Sequence, residues 1–389
     1  VGYLSGSTST TANNSVAIGK QALNGGVMTG DFNIGIGRTV GGAITSGTQN
    51  ICLGVDSLAA LTTGSYNVAM GSSALRVGAV SANGNVAIGY QSMRNTSSSH
   101  NVAVGYQAGY NNAAGTMVAV GNNSFFSNTS GAENTAVGNS AGEFATTADS
   151  ATFVGHHAGK GITGVKLTGN GNTAVGHNSG LLLQGAANTN CLLGSSAGAV
   201  ITTGQGNTCL GNAADVGGGA AVNRISIGNQ VSNGSNNRIT VGAGSSVASL
   251  ELNGSDTSWA ASSDQRLKEN VASSTAGLSF INDLRPITYN WKKAKDVPSD
   301  LPQYVEGSDA PCLGQIYGIN IHGFIAQEVK AVIDNHPEVK DGQEIWQTDS
   351  TTVETIAPSA LIPMLTKAVQ ELSAQIQELT ARIEELEGE

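Results

Sequence analysis

One short motif recurs fourteen times between Ser15 and Gly242, and it limits the fold more than any other feature of the chain. It reads Asn67-Val68-Ala69-Met70-Gly71, Asn85-Val86-Ala87-Ile88-Gly89, Asn101-Val102-Ala103-Val104-Gly105, Asn134-Thr135-Ala136-Val137-Gly138 and Asn172-Thr173-Ala174-Val175-Gly176. Degenerate copies end at Gly19, Gly37, Gly54, Gly121, Gly155, Gly194, Gly211, Gly228 and Gly242, and copies lie 14 to 21 residues apart, mostly 16 to 18. A unit this short cannot close a core of its own. It must bury its apolar residues against its neighbours, which predicts a solenoid of short strands.

Within each copy the three residues between Asn and Gly alternate with the strand period of two. The third is always aliphatic, as in Ile18, Leu53, Met70 and Val241, so that face is expected inside the coil. The middle one is usually small, as in Ala69, Gly35 and Cys52, although Phe153 and Leu192 break the rule. A small, uncharged second face is expected to meet a symmetry mate closely, which implies a homo-oligomer. Asn can bond to neighbouring backbone, and Gly supplies a positive φ. Stacking should bring the Asn side chains into a ladder with a step of about 4.8 Å, so fourteen coils would rise on the order of 65 Å.

Composition separates the chain into two kinds of structure. Gly accounts for 53 of 389 residues, and only 5% are aromatic, too Gly-rich for an ordinary globular core. Up to Ala243 eight basic residues stand against six acidic ones, whereas the remainder holds ten basic and 22 acidic. Neither part has the basic excess of a nucleic-acid binder. Cys52, Cys191, Cys209 and Cys312 show no paired spacing, and the six His form no ligand set, so no disulfide framework, metal site or cofactor is expected. No apolar run is long enough to span a bilayer and no signal segment opens the chain, so membrane insertion is not expected. A start at Val1 rather than Met suggests a piece of a longer protein.

The repeat resembles that of the left-handed parallel beta-roll heads of trimeric autotransporter adhesins over roughly residues 14 to 242. This likeness implies architecture rather than function. Nothing in the chain alternates like the membrane-barrel anchor with which those adhesins end.

From Ser262 the sequence reads Ser262-Ser263-Asp264-Gln265-Arg266-Leu267-Lys268-Glu269-Asn270-Val271. Taken alone, Ser263 before Asp264 and Gln265 is a helix N-cap. Further on stand Leu284-Arg285-Pro286-Ile287-Thr288-Tyr289-Asn290-Trp291, His322-Gly323-Phe324-Ile325-Ala326-Gln327-Glu328-Val329, and Leu361-Ile362-Pro363-Met364-Leu365-Thr366-Lys367-Ala368-Val369-Gln370-Glu371-Leu372. In this order the four segments resemble the phage intramolecular chaperone family, also the peptidase S74 family, whose hallmark is Ser-Asp-x-Arg-Leu-Lys-x-Asn.

The resemblance implies a Ser/Lys dyad, Ser263 and Lys268, that cuts the chain once. The chemistry requires a lysine with its pKa lowered by desolvation from about 10.4. Burial of Lys268 on assembly would supply that and couple the cut to completed folding. Ser263 would attack the carbonyl of Ser262, with the bond between Ser263 and Asp264 as the alternative. Asp264 and Arg266 also match, with an expected role in orienting the loop. His322 reads as a structural histidine, and no mechanism suggests itself for Gln327 or Glu328.

From Pro358 onward the pattern is helical. Ile362, Leu365, Val369, Leu372, Ile376, Leu379, Ile383 and Leu386 step by alternating threes and fours, a coiled-coil spacing with Ile or Val at a and Leu at d. That choice favours two strands by itself, whereas the family resemblance implies three. The expected fold is therefore mainly β: a trimeric left-handed parallel beta-roll over 1–243, a linker and last strand over 244–261, and an α+β chaperone domain over 262–389. Its helical stretch, 358–389, is expected to form a trimeric coiled coil.

Three functions compete. A phage tail fibre or tailspike fragment would carry a shaft or host-receptor section, assembled in the host cytoplasm and then part of the virion. A bacterial or prophage-encoded trimeric surface adhesin could use the same self-cleaving module. A glycan-degrading spike is disfavoured, because six carboxylates in the front section offer no evident hydrolytic pair. For binding of a host glycan or protein, Tyr90, Tyr106, His156 and His177 all follow a motif Gly. They could stack on sugars or cover a groove between subunits.

Overall fold

The computed structural model describes residues 1–7, 9–77, 80–113, 115–252, 260–261, 264–313, 321–340, 344–348 and 353–388. The chain divides into two compact units, Val1–Ser263 and Asp264–Glu389.

The first unit is a β-solenoid. Fourteen parallel strands, β1 (Val16–Ile18) to β14 (Arg238–Ala243), each pair with the next in strict sequence order and register, so that Ala69 lies beside Ala87 and Ala87 beside Ala103. Two antiparallel strands, β15 (Ser246–Glu251) and β16 (Ala260–Ala261), extend the sheet. The one last strand expected within 244–261 is thus two, and the first of them turns back on β14.

The strand faces are opposite to those expected from the sequence. The small middle residues point into the coil: Cys52, Ala69, Ala87, Ala103, Ala119, Ala136, Ala174 and Cys209 are fully buried. The third-position aliphatics point outward, with Ile18 43%, Leu193 47% and Leu210 42% exposed. The cause is the width of the coil. Opposite each strand run the turns after the motif Gly, whose side chains, such as Ala22 and Leu23 or Ala74 and Leu75, already fill the interior. An Ile at the middle position would overfill that space, so it is the bulky residues that must face out. Burial in the coil pushes the pKa of the Cys52 and Cys209 thiols up to about 12.

The two exceptions to the small-residue rule fit the same account. Phe153 lies in coils where the turns carry Gly142 and Gly159 in place of Leu or Met, and a Cβ on Gly159 would stand 2.3 Å from its ring. Phe125 flanks it at 5.9 Å between ring centroids. Leu192 likewise fills the space left by Gly180 and Gly198. Volume is conserved coil by coil while the positions that supply it change.

The Gly after each strand cannot be replaced for two reasons. At Gly89, φ is +129°, and a Cβ would lie 2.3 Å from the carbonyl oxygen of Gly105 in the next coil. Adjacent coils make backbone contact here.

Asn stands before nine of the fourteen strand cores, with Ser15, Met117, Ala151, Arg224 and Arg238 at that position in the others, and it forms the expected ladder in two runs. The side-chain amide of Asn50 donates to Asn33 Oδ1 at 3.1 Å, Asn67 to Asn50 at 3.0 Å, Asn85 to Asn67 at 3.2 Å and Asn101 to Asn85 at 3.1 Å. Asn33, Asn50, Asn67 and Asn85 also donate across to the following coil, as Asn67 does to Ala82 O at 2.8 Å, whereas Asn101 donates to Ser98 Oγ and Ser99 O; the Asn67 Oδ1 accepts from the backbone N–H of Asn85. Where Met117 interrupts the row, Asn112 donates to Asn101 Oδ1 and Asn128 to Asn112 Oδ1, carrying the ladder along a parallel track. It resumes through Asn172, Asn190 and Asn207 at 2.9 Å per step.

The second unit is built of short elements around one small core. Helix α1 (Leu278–Asp283) packs against α4 (Ile362–Glu387), which follows a 3-10 turn at Pro358–Leu361. Strands β17 (Ile287–Tyr289) and β18 (Ile321–Gly323) form an antiparallel pair, as do β19 (Trp346–Thr348) and β20 (Glu354–Ile356). Between these pairs lie α2 (Ala326–Asn335) and α3 (Pro337–Lys340). Phe280, Leu284, Val329, Ile333, Val339 and Leu361 form the buried centre. His336 joins two elements: Nε2 meets Asp283 Oδ2 and Nδ1 meets Glu338 Oε1, both at 2.8 Å, with Phe280 edge-on. The two carboxylates hold the imidazole above its ordinary value of 6.5.

Three measurements test this description. Asn67→Ala strands a buried carbonyl and a buried N–H and should cost about 3 kcal/mol or more in thermal or denaturant unfolding. Phe153→Ala should cost about 3–5 kcal/mol, because the flanking glycines cannot refill the cavity. The His336 contribution is fully present below about pH 6.5 and is lost as pH rises through the higher folded-state value. Stability of the second unit should therefore decline from mildly acidic to mildly basic pH in the wild type, and His336→Gln should lack that slope.

Candidate functional site

The hallmark segment opens the second unit. Ser262 and Ser263 lie outside the described residues. Asp264, in extended conformation, caps a 3-10 turn at Gln265–Leu267, its Oδ1 accepting from Arg266 N at 2.9 Å. The Arg266 guanidinium folds back onto the same carboxylate, with Nη2 to Oδ2 at 2.6 Å. This pair lowers the Asp264 pKa and raises that of Arg266. The cap is Asp264 rather than the expected Ser263. Lys268 closes the turn, its N–H donating to Gln265 O, and its side chain is exposed in the single chain. Beside it Leu267 and Val271 are 74% and 71% exposed, an apolar flank with no cover within the described chain.

The other three segments come together in space. Thr288 pairs with His322 across β17 and β18. Arg285 makes a two-pronged ion pair with Glu328, its Nε donating to Oε2 at 2.9 Å and its Nη2 to Oε1. Glu328 is thus a clamp between segments 43 residues apart, and it sits below its ordinary pKa for that reason. Glu371, on α4, accepts from Leu278 N at 2.7 Å and so caps α1, which has no side-chain cap of its own. Gly277 permits this approach, since a Cβ there would lie 2.5 Å from Glu371 Oε2. Sequence reasoning missed both pairings, because nothing along the chain marks partners separated by 43 and 93 residues. His322 and Gln327 are exposed.

An apolar groove of about 320 Å³ runs beside these segments, lined by Ile281, Leu284, Pro286, Phe324, Leu361 and Leu365. Leu365 also belongs to the helix seam, where Ile362, Val369, Ile376, Leu379, Ile383 and Leu386 are 54% to 66% exposed.

On the solenoid, Tyr90 and Tyr106 stack at 5.3 Å and are 45% and 47% exposed. His156 and His177 stack at 5.3 Å with an 8° tilt, and His157 adjoins His156 at 3.7 Å. Desolvation lowers the His157 pKa, helped by Lys160 and His156. In the longest insertion Lys160 pairs with Glu143 at 3.6 Å, and Lys166 lies over the Phe144 ring at 4.2 Å.

Residues 263–337 match the family model Peptidase_S74, described as chaperone of endosialidase. The match begins at Ser263 and includes the segments around Arg285 and Glu328, and it ends before α4. No curated protein and no solved structure matches the chain at a significant level. The stretch that follows the β-solenoid in the sequence is therefore similar, over residues 263–337, to the family described as chaperone of endosialidase.

Proposed function

We propose that this chain is part of a phage tail fibre or tailspike, with the solenoid as its shaft or host-receptor section and the second unit as a trimerisation chaperone that releases itself. The observation that carries this reading is a Peptidase_S74 match that begins at Ser263 directly behind a solenoid of fourteen parallel strands. The repeat, with its likeness to adhesin heads, also supports a second reading, a bacterial or prophage-encoded surface adhesin that uses the same module.

Assembly acts through the α4 seam. A single amphipathic helix with its whole a/d stripe exposed needs partners, and the heptad spacing suits helices of the same kind. Arg382 at g and Glu387 at e are five residues apart, the separation at which parallel helices in register exchange g-to-e ion pairs.

Cleavage follows from that assembly. Lys268 lies between Leu267 and Val271, and neighbouring copies that cover this apolar flank would strip water from the ammonium group and lower its pKa. Neutral Lys268 then accepts the Ser263 hydroxyl proton while Oγ attacks the Ser262 carbonyl. The amine of Ser263 leaves with a proton as the peptide bond breaks, and water hydrolyses the resulting ester. Nucleophile and scissile bond adjoin in one chain, so proximity supplies much of the rate. In this reading Asp264 and Arg266 hold the turn that aims the serine.

Expression of wild type beside Ser263→Ala and Lys268→Ala tests the dyad, with denaturing gels and intact mass as the readout. Wild type should split next to Ser263 and both variants should stay whole; intact wild type in folded assemblies would sink the reading. Ile376→Lys with Leu379→Lys should lower the sedimenting mass and abolish cleavage together.

A further inference from the structure

The position just before the ladder row has a left-handed backbone in every coil from β1 to β14 except that of Thr116. Most coils place Gly or a polar residue there, as at Gly171, Asn14 and Asn223, types that tolerate this conformation. Three coils instead carry a ring: Phe32 at φ +59°, Tyr66 at +63° and His100 at +63°. A bulky side chain is strained in this region, and burial does not compensate. Phe32 is 53% and Tyr66 63% exposed, and His100 is exposed as well. Strain kept three times without a packing return points to binding rather than to folding.

The spacing of the rings is regular. They stand before β2, β4 and β6, on alternate coils, with Gln49 and Gly84 between them. At about 4.8 Å per coil, successive rings are about 10 Å apart and the row spans about 19 Å. Backbone hydrogen bonds fix it: Phe32 N donates to Asn13 O at 3.1 Å, Tyr66 N to Thr48 O at 3.1 Å and His100 N to Asn83 O at 2.9 Å. Gly84 seats the last ring, since a Cβ there would lie 3.1 Å from His100 Cδ2. Alongside runs a row of neutral hydroxyls and amides, Thr48, Ser65, Asn83 and Ser99, each tied to the next and preceded by Asp31.

The residues also indicate the occupant. A row one residue wide and about 19 Å long suits a chain-like ligand rather than a protein face, which needs roughly 800 Å². Neither row holds Lys or Arg in these coils, so nucleic acid and acidic polymers find no counter-charge. Exposed rings beside hydroxyls and amides suit a neutral polysaccharide, whose apolar sugar faces stack while its hydroxyls bond to the polar row. In an extended β-linked chain every second sugar presents the same face, and that two-sugar repeat is close to the two-coil spacing of the rings.

We propose that Phe32, Tyr66 and His100 form a binding row for an extended, neutral, β-linked polysaccharide laid along the solenoid axis, one ring to every second sugar. The site rests on the host-receptor reading of the solenoid and gives it a location and a ligand class. It is separate from Tyr90 and Tyr106, which stand at the opposite ends of their strands.

Calorimetric titration of the full chain with cellohexaose and chitohexaose, with maltohexaose as the α-linked control, tests this. One of the β-linked hexasaccharides should bind about tenfold or more tighter than its own disaccharide and than maltohexaose. Tyr66→Asn with His100→Asn should weaken that binding about tenfold or more. The thermal unfolding midpoint of this variant should hold or rise, because Asn suits the left-handed backbone better than a ring does. A midpoint that falls would make the rings part of the fold and overturn the proposal. Unchanged affinity in the variant, or equal affinity for maltohexaose or the disaccharide, would overturn it too. Wild type that splits next to Ser263 but binds neither β-linked hexasaccharide would overturn this site and leave the fibre reading standing, whereas wild type that neither splits nor binds would overturn both.

Discussion

The solenoid depends on how little room one coil encloses. Each turn of 16 to 18 residues leaves space for the middle residue of its strand, the Ala or Ser and Leu or Met of the following turn, and a ladder Asn. Everything else follows from that limit. Small residues go inward, Gly lets neighbouring backbones touch, and bulky aliphatics are forced to the outside. Phe153 and Leu192 show that the limit is one of volume rather than residue type, since each is admitted where the turns have given up a side chain to Gly.

A polar row through such an interior is tolerable only when every group is paired. The Asn ladder meets that condition because an amide both donates and accepts, so one residue can serve the coil before and the coil after. The detour through Asn112 and Asn128 around Met117 keeps donors and acceptors matched when the repeat itself lapses. Such a core is held by short-range contacts between neighbours, and it places its largest apolar rows on the surface.

In the second unit the framework is set by a few long-range pairs: Arg285 with Glu328, Glu371 on the N–H of Leu278, and His336 between Asp283 and Glu338. They lock α1, the β17–β18 pair and α4 around a small core. The hallmark turn at 264–268 is local by comparison, with Asp264 serving as cap and as partner of Arg266. Its apolar neighbours and the helix seam both face outward, and the proposed link between assembly and cleavage rests on that common exposure.

By itself the sequence determined the solenoid, the number and register of its parallel strands, the Asn ladder and the long C-terminal helix. Each is written in a short period, and a period needs only local reading. It also identified the Peptidase_S74 segment through motif order. Only the tertiary structure decided which strand face is inside, because alternation separates two faces without saying which one the coil can accommodate. It likewise decided the roles of Glu328 and Glu371, whose partners lie far away along the chain. The reason is the same in both cases: periodicity fixes direction along the chain, whereas volume and long-range pairing exist only once the chain has closed on itself.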